Sequence, residues 1–282
     1  KIFDVMSSND KISVIVPVYI NTSIQNIENC MRSIFKQSLN FFNIVIVHDG
    51  PLQERVKLYL SNLKNKNIHH IKSSKNIGLA KALNLALENI DSEFIIRQDS
   101  DTISYAQRFK TQIDYLIEHK EIDVLGSHMN EKLTTGEFYV QKMPKKSIDC
   151  YESFVFRNPI CHPTAVFRKS FFLKAGFYPI EHYQDEDSIL WLNGFLNNCK
   201  FENLSEILVE SNLDRNLLKR RKELRAVYVT FFNKIKISNE LNYGFKGYFY
   251  AVLRMFIMLT PDFILFKAYL MRNTIWSKIQ KK

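Results

Sequence analysis

The chain has 282 residues, a net charge of +10, and 46% hydrophobic and 13% aromatic residues. That apolar content excludes a disordered protein, and the length supplies core for one large or two small domains. The charge is uneven: Asp214 to Lys282 holds 15 Lys/Arg against 4 Asp/Glu, and the preceding residues hold 24 against 25. A basic C-terminal segment suits an anionic partner, whereas the near-neutral remainder argues against a nucleic-acid-binding protein.

Taken in chain order, Ile12–Val18 is a β-branched apolar run, read as a buried parallel strand that Pro17 ends. Ile24, Ile27, Met31, Ile34 and Phe35 then recur at helical spacing. Asn43–Val47 is a second buried strand ending in His48-Asp49-Gly50-Pro51, and residues 52–64 read as a helix. Ile68–Lys72 is a short third strand, with His69 and His70 read as structural. Ser73–Gly78 turns into a helix carrying Leu79, Leu83, Leu87 and Ile90, and Glu93–Arg97 is a fourth strand. A helix over 104–119 and a strand over Ile122–Met129 follow. This alternation predicts an α/β layer with a mostly parallel sheet, whose ligands sit beyond the carboxyl ends of the strands.

Residues 131–143 read as a hairpin, 147–157 as a helix, Pro163–Arg168 as a strand, and Asp187–Asn197 as a helix with Leu190, Trp191 and Phe195 apolar. Trp191 reads as core or as a sugar-stacking face. The most hydrophobic part of the C-terminal segment, Tyr248 to Met271, is broken by Arg254, Pro261, Asp262 and Lys267, too often for a membrane span. It reads as amphipathic helices that lie on an anionic membrane or cap the domain. The scattered cysteines 30, 150, 161 and 199 fit reduced thiols in a cytoplasmic protein, and the polar residues 1–11 carry no secretory signal.

The chemistry centres on Asp99-Ser100-Asp101. In an extended or tightly turned backbone its two carboxylates converge on one side. Two carboxylates completed by phosphates and water are how Mn²⁺ or Mg²⁺ is commonly held. The turns at Pro17-Val18-Tyr19 and Asp49-Gly50 also lie at carboxyl ends of strands, so all three line one crevice.

Seven short patterns then come in a familiar order: Ile12–Tyr19, Ile44–Gly50, Asn76-x-Gly78-Leu79-Ala80-x-Ala82-Leu83-Asn84, Arg97-x-Asp99-x-Asp101, Arg108-Phe109 with Gln112, Asn158–Thr164, and Glu186-Asp187-x-x-Leu190-Trp191. Over residues 11–213 the chain resembles family 2 glycosyltransferases of the GT-A fold, of the type that builds bacterial O-antigen, capsule and exopolysaccharide. The resemblance implies a Rossmann-like nucleotide-binding half over 1–130 and an acceptor half over 131–213, followed by the basic helical segment 214–282. It also implies a UDP-sugar donor, a divalent cation, inversion at the anomeric carbon, and a lipid-linked or oligosaccharide acceptor.

Site roles follow from the matched positions. Pro17, Val18 and Tyr19 cradle the base, Asp49 contacts the nucleoside, and Asn76, Gly78 and Lys81 lie near ribose and diphosphate. Asp99 and Asp101 form the metal and ribose-phosphate motif, with Asp101 the more direct ligand and Ser100 between them on the substrate. Asp187 matches the catalytic base, with Glu186 beside it. Arg97 has either a carboxylate or the diphosphate for a partner. His162 is a structural histidine or a substrate contact. Two positions depart from the family: Thr102 stands where a further acid is common, and no histidine follows His182 to complete a metal shell. The expected protein is thus a cytoplasmic transferase, peripheral on the inner face of the bacterial membrane. A sugar nucleotidyltransferase is the competing enzyme class, but Tyr19–Ser23 lacks the glycine-rich basic loop it requires. A basic lipid- or nucleic-acid-binding protein is the non-enzymatic alternative.

Overall fold

The computed structural model describes residues 11–133, 136–182, 185–212 and 222–261, with Ile264, Lys267 and Met271. The readings of residues 1–10, of the boundary at 213/214, and of most of 262–271 lie outside the described residues.

Four strands, β1 (Ile12–Tyr19), β2 (Asn43–Asp49), β3 (Ile68–Lys72) and β4 (Phe94–Arg97), run parallel in the order β3-β2-β1-β4. Their side chains alternate between two cores, as a strand buried on both faces requires. Val14, Val16, Val18, Ile44 and Ile46 meet Ile27, Met31 and Ile34 of α1 (Ile24–Phe35) on one face. Ile15, Val45 and Val47 meet Leu83, Ala86 and Leu87 of α3 (Leu79–Glu88) on the other. Helix α2 (Glu54–Ser61) is shorter than the expected 52–64 and buries only Val56 and Leu60.

The sheet continues past β4 through β8 (Val166–Arg168), β6 (Val124–Lys132), β9 (Phe201–Asn212) and β5 (Thr102–Ser104), with β7 (Phe138–Gln141) on β6. The β4–β8, β8–β6, β9–β5 and β6–β7 pairs are antiparallel and β6–β9 is parallel. A parallel half therefore carries a more mixed second half on the same α/β sheet.

Pro17 does not end β1. The strand pairs with β2 through Tyr19, whereas its last β4 pair is Ile15 with Arg97. Ile15 faces β4, accepting from Gln98 N at 3.1 Å. Pro17, two residues on, faces the same way past the end of that ladder, so its missing N–H removes no sheet bond. The expected helix over 104–119 begins at Arg108, as α4 (Arg108–Glu118), because Thr102–Ser104 is taken by β5. The expected strand Pro163–Arg168 opens as a 3-10 turn over His162–Thr164. Three elements went unread: β5, α6 (Lys169–Ala175) and β9, whose acids Glu202, Glu206 and Glu210 mask its apolar positions.

On the second half, α5 (Ser147–Phe154) and α7 (Glu186–Leu196) pack with the C-terminal helices α8 (Leu224–Glu240) and α9 (Gly244–Leu259). Ile237 and Leu241 share one core with Trp191, which is fully buried and stacked on Phe167 at 5.8 Å. Trp191 is therefore core and presents no sugar-stacking face. The four cysteines are buried free thiols. Among the described residues no helix is long and apolar enough to cross a membrane.

The carboxyl end of β2 presses on the loop before α3. Gly50 has φ +83°, and a Cβ there would lie 2.5 Å from Asn76 N. Both the backbone angle and the contact demand glycine. Gly50→Ala is expected to destabilise the fold by about 1–3 kcal/mol in urea denaturation; an unchanged midpoint would show that the loop yields freely.

Candidate active site

Three turns open at the carboxyl ends of the adjacent strands β2, β1 and β4, as the sheet order requires. At the first, Asp49 is buried and its carboxylate gathers the loop before α3. Ile77 N donates to Oδ1 at 2.6 Å, Asn76 Nδ2 to Oδ2 at 3.1 Å, and Gly78 N reaches both oxygens at 3.3 and 3.2 Å. Gly78 has φ +88° and precedes the first residue of α3, where free amides and the helix dipole favour an anion. Lys81 is exposed on the first turn of that helix, and Asn76 is exposed beside it. At the second turn Pro17 and Val18 are buried and Tyr19 is 37% exposed. The Val18 side chain lies in the core, so only its backbone borders the crevice.

The third turn is built from beneath by Arg108. Its guanidinium is fully buried, and all five N–H groups are used. Nε donates to Gln112 Oε1 at 3.0 Å, and Nη1 to Gln98 Oε1 and Ser104 Oγ, both at 2.9 Å. Nη2 donates to the carbonyls of Arg97 at 2.8 Å and Pro163 at 2.9 Å. Burial pulls its pKa down to about 9, and the Asp99 carboxylate opposes that loss of charge. Gln98 in turn donates to Thr102 Oγ1 at 2.7 Å, and Thr102 Oγ1 donates to Asp99 O at 3.0 Å. Thr102 is thus a buried strut of the turn, which explains an uncharged residue there. Asp99 is left 26% exposed, Ser100 half-buried and Asp101 exposed.

Arg97 points its guanidinium at Asp99. The two form an ion pair through Nη2 and Oδ1, and Arg97 is only 2% exposed. Its Nε and Nη1 are buried without a hydrogen-bond partner in the structure. An unpaired buried donor is costly, and the oxygens of an anionic ligand would satisfy these atoms. Arg97 also acts on Tyr178, His162 and Glu186, and Tyr178 feels Asp187, Glu186 and Asp99 as well. The two-acid turn and the acidic start of α7 therefore face one another around Arg97 and Tyr178.

At α7 three consecutive carboxylates have different partners. Asp185 is buried, with Oδ1 accepting from Ser188 Oγ at 2.7 Å and Oδ2 from Asn233 Nδ2 at 2.8 Å. Asp187 Oδ1 accepts from Ser188 N at 2.8 Å and Oδ2 from Asn158 Nδ2 at 2.9 Å. Burial first, then the Asp187 charge, push Glu186 up to about 7. His162 contacts Tyr178 OH through Nε2 at 2.8 Å, and burial and Arg97 hold its pKa well below the ordinary value, so it is neutral at pH 7. Asn84 exchanges two hydrogen bonds with the Tyr178 backbone, at 2.8 and 2.9 Å, tying α3 to the second half.

Sequence reasoning named Arg108, Gln112 and Asn158 only as parts of motifs and missed Tyr178, Ser188 and Asn233. The signal for the first pair was legible: Arg108 and Gln112 lie four apart on the stripe that also holds Phe109, Ile113 and Leu116. A polar pair on a buried stripe needs a partner network. Among the described residues there is no group of three or more His, Cys, Asp or Glu placed to hold a metal.

A parallel α/β half, a two-acid turn at a strand's carboxyl end and an acidic helix start across the crevice define a GT-A glycosyltransferase. The chain belongs to Glycosyl transferase family 2, whose profile matches residues 13–174. It is 28% identical over 251 residues to the amylovoran biosynthesis glycosyltransferase AmsE of Erwinia amylovora, covering 88% of this chain and 94% of that one. It is also 28% identical to an Escherichia coli UDP-Gal:alpha-D-GlcNAc-diphosphoundecaprenol beta-1,3-galactosyltransferase over 273 residues, 88% of this chain and 98% of that one. Among solved structures, S. aureus TarS 1–349 in complex with UDP-GlcNAc matches with a TM-score of 0.63 and 22% identity, over 81% of this chain and 67% of that one. A longer TarS chain is covered only to 40% of its length. The mannosyltransferase PcManGT from Pyrobaculum calidifontis, with GDP-Man and Mn²⁺, matches with a TM-score of 0.62 and 14% identity, over 96% and 83%. At such identities these structures establish the fold alone.

The Glu186 shift has a testable sign. Its folded pKa of about 7 lies above the ordinary 4.5. Folding thus favours the protonated acid, a stabilisation present below about pH 4.5 and lost as pH rises through about 7. Glu186→Gln is expected to raise Tm at about pH 8 and to leave it little changed at about pH 4. Equal effects at both pH values would exclude a raised pKa.

Proposed function

We propose that this chain moves a hexose or N-acetylhexosamine from a UDP-sugar to a lipid-diphosphate-linked or growing-glycan acceptor, with inversion, in bacterial surface polysaccharide synthesis. The observation that carries the reading is the buried Arg97 guanidinium, with two unpaired donor nitrogens between Asp99 and the acidic start of α7. A diphosphate brings the oxygens those donors lack. Residues 1–130 serve as the donor half, with Pro17, Val18, Tyr19 and Asp49 toward the nucleoside and Asn76, Gly78 and Lys81 toward ribose and diphosphate. In the latter group the start of α3 offers amides and Lys81 a charge. Asp49 acts chiefly by shaping that loop, since its oxygens are committed there. Ser100 lies on the donor side and His162 supports the site through Tyr178.

The residues fit a divalent cation held in part by the donor's own phosphates. Asp101 is the exposed carboxylate and Asp99 the one shared with Arg97, and two such acids with phosphate oxygens suit Mn²⁺ or Mg²⁺. Such a cation, when bound, neutralises charge on the departing diphosphate. Independently, Arg97 and the α3 amides stabilise that charge from fixed positions. On the opposite side Asp187 accepts the proton of the attacking acceptor hydroxyl as general base. Asn158 holds Asp187 Oδ2 in place at 2.9 Å. One base serves a single displacement with inversion, the logic that inverting glycosidases apply to water. A second reading places the base at Glu186, favoured by its pKa of about 7.

Asp187→Ala is expected to lower kcat by roughly 10²–10⁴-fold and to keep UDP affinity, measured by transfer assay and calorimetry. If Glu186→Gln loses that activity and Asp187→Ala does not, the base is Glu186. Asp101→Ala is expected to abolish the Mn²⁺ dependence of UDP binding; a fully retained dependence would remove the cation from this turn.

The C-terminal segment completes the reading. Helix α8 exposes Leu224, Tyr228 and Phe232, and α9 exposes Phe245, Phe249, Phe256 and Leu259. Aromatic faces on a strongly basic segment suit the anionic inner surface of a membrane bearing a lipid-linked acceptor. The inner faces of these helices are core, so substitution is a cleaner test than removal. A Phe249→Ser/Phe256→Ser variant is expected to stop floating with anionic liposomes and to keep transfer to a water-soluble acceptor. Undiminished flotation would exclude α9 as the contact.

A further inference from the structure

We propose that Asn233, on the C-terminal helix α8, is a positioning residue for glycosyl transfer, stapling the acidic start of α7 in register with Arg97. The inference rests on the reading of that turn as the place where the acceptor hydroxyl is activated.

Asn233 is 5% exposed, and both ends of its amide are used. Oδ1 lies 2.8 Å from His182 Nδ1, and Nδ2 donates to Asp185 Oδ2 at 2.8 Å. An amide oxygen only accepts, so His182 carries its proton on Nδ1 toward Asn233. A single side chain from a helix remote in sequence thus grips the chain on both sides of the approach to α7. Its hold passes on by hydrogen bonds. Asp185 Oδ1 accepts the one Ser188 Oγ proton at 2.7 Å, and Ser188 N donates to Asp187 Oδ1 at 2.8 Å. Asn158 Nδ2 donates to the other oxygen of Asp187 at 2.9 Å. Asn233, Asp185 and Ser188 therefore form one polar chain ending on the proposed base.

The next residue points the same way. Lys234 is 3% exposed, with Nζ donating to Phe154 O at 3.0 Å and lying 4.9 Å from the Phe154 ring centroid. Burial first, then Arg254, pull its pKa down to about 7, and Asp185 and Asp187 oppose that loss of charge. Buried polar groups of this kind are costly unless each finds its partner, and complete networks rigidify what they join. Docking of α8 does not itself require the amide. Ile237 and Leu241 sit in the core, and Tyr151 OH donates to Leu241 O at 2.7 Å. The Asn233 contacts are thus directed at the turn.

The test compares Asn233→Ala, Asn233→Gln and Tyr151→Phe in the full chain. Readouts are kcat, donor KM, UDP affinity, and hydrogen exchange of peptides covering the start of α7. Asn233→Ala is expected to lower kcat roughly 10- to 100-fold, as a small misplacement of a reacting group does. Donor KM and UDP affinity should hold, and exchange at the start of α7 should quicken. Asn233→Gln keeps an amide but displaces it by one methylene, and is expected to lose kcat while remaining folded. Tyr151→Phe loosens α8 elsewhere and should keep wild-type kcat. Unchanged kcat in both Asn233 variants overturns the positioning role and leaves glycosyl transfer standing. An equal kcat loss in Tyr151→Phe overturns it too, since the effect would then be general docking. A wild type that neither binds UDP nor transfers from any UDP-sugar overturns both readings.

Discussion

The buried guanidinium of Arg108 is the constraint on which the site depends. Its acceptors come from the end of β4, from β5, from its own helix and from the segment before β8. Burying a cation costs several kcal/mol unless every donor is met. Here all five are met, and Asp99 stands near enough to favour the charge. Only a planar fork reaches so many oxygens at once, and a lysine ammonium would leave part of them unpaired. The two-acid turn therefore rests on a rigid polar base, and its exposed carboxylate owes its place to a residue that never reaches the crevice.

The two arginines divide the electrostatic work by their hydrogen bonds. Arg108 spends every donor on the protein. Arg97, two residues before Asp99, spends one on that carboxylate and keeps buried donors unpaired. The three acids at α7 divide in the same manner. Asp185 and Asp187 accept from neighbours through both oxygens, while burial and the Asp187 charge leave Glu186 near neutrality. Like residues in adjacent positions thus acquire unlike chemistry from their surroundings.

Helix α8 has two unlike faces. Ala226, Val227, Thr230, Asn233, Lys234 and Ile237 are buried against the domain, whereas Leu224, Tyr228 and Phe232 are exposed. Inward polar groups on a helix mark contacts that hydrophobic packing alone does not specify, because each demands a partner at a set distance and angle. The C-terminal helices therefore belong to the architecture of the acidic turn as well as to the outer surface of the molecule.

By itself the sequence determined the parallel half. Continuous β-branched runs at β1 and β2, helical stripes on α1 and α3, and acids or glycine at strand ends are local patterns with local causes, and their order also revealed the family. It determined that Asp99 and Asp101 share a turn and that Glu186 and Asp187 open a helix. Tertiary structure decided the rest. β5 is too short to show a period, and β9 hides its apolar face among three glutamates. Pro17 stays within its strand because the neighbouring ladder has already ended. Thr102, a missing acid by motif, is a buried strut beneath the turn. Asn233 reveals its purpose only when α8 lies across α7, some fifty residues away in the chain. A hydrogen bond between distant segments leaves no periodic trace in either of them, so only the folded chain shows which polar residues are partners.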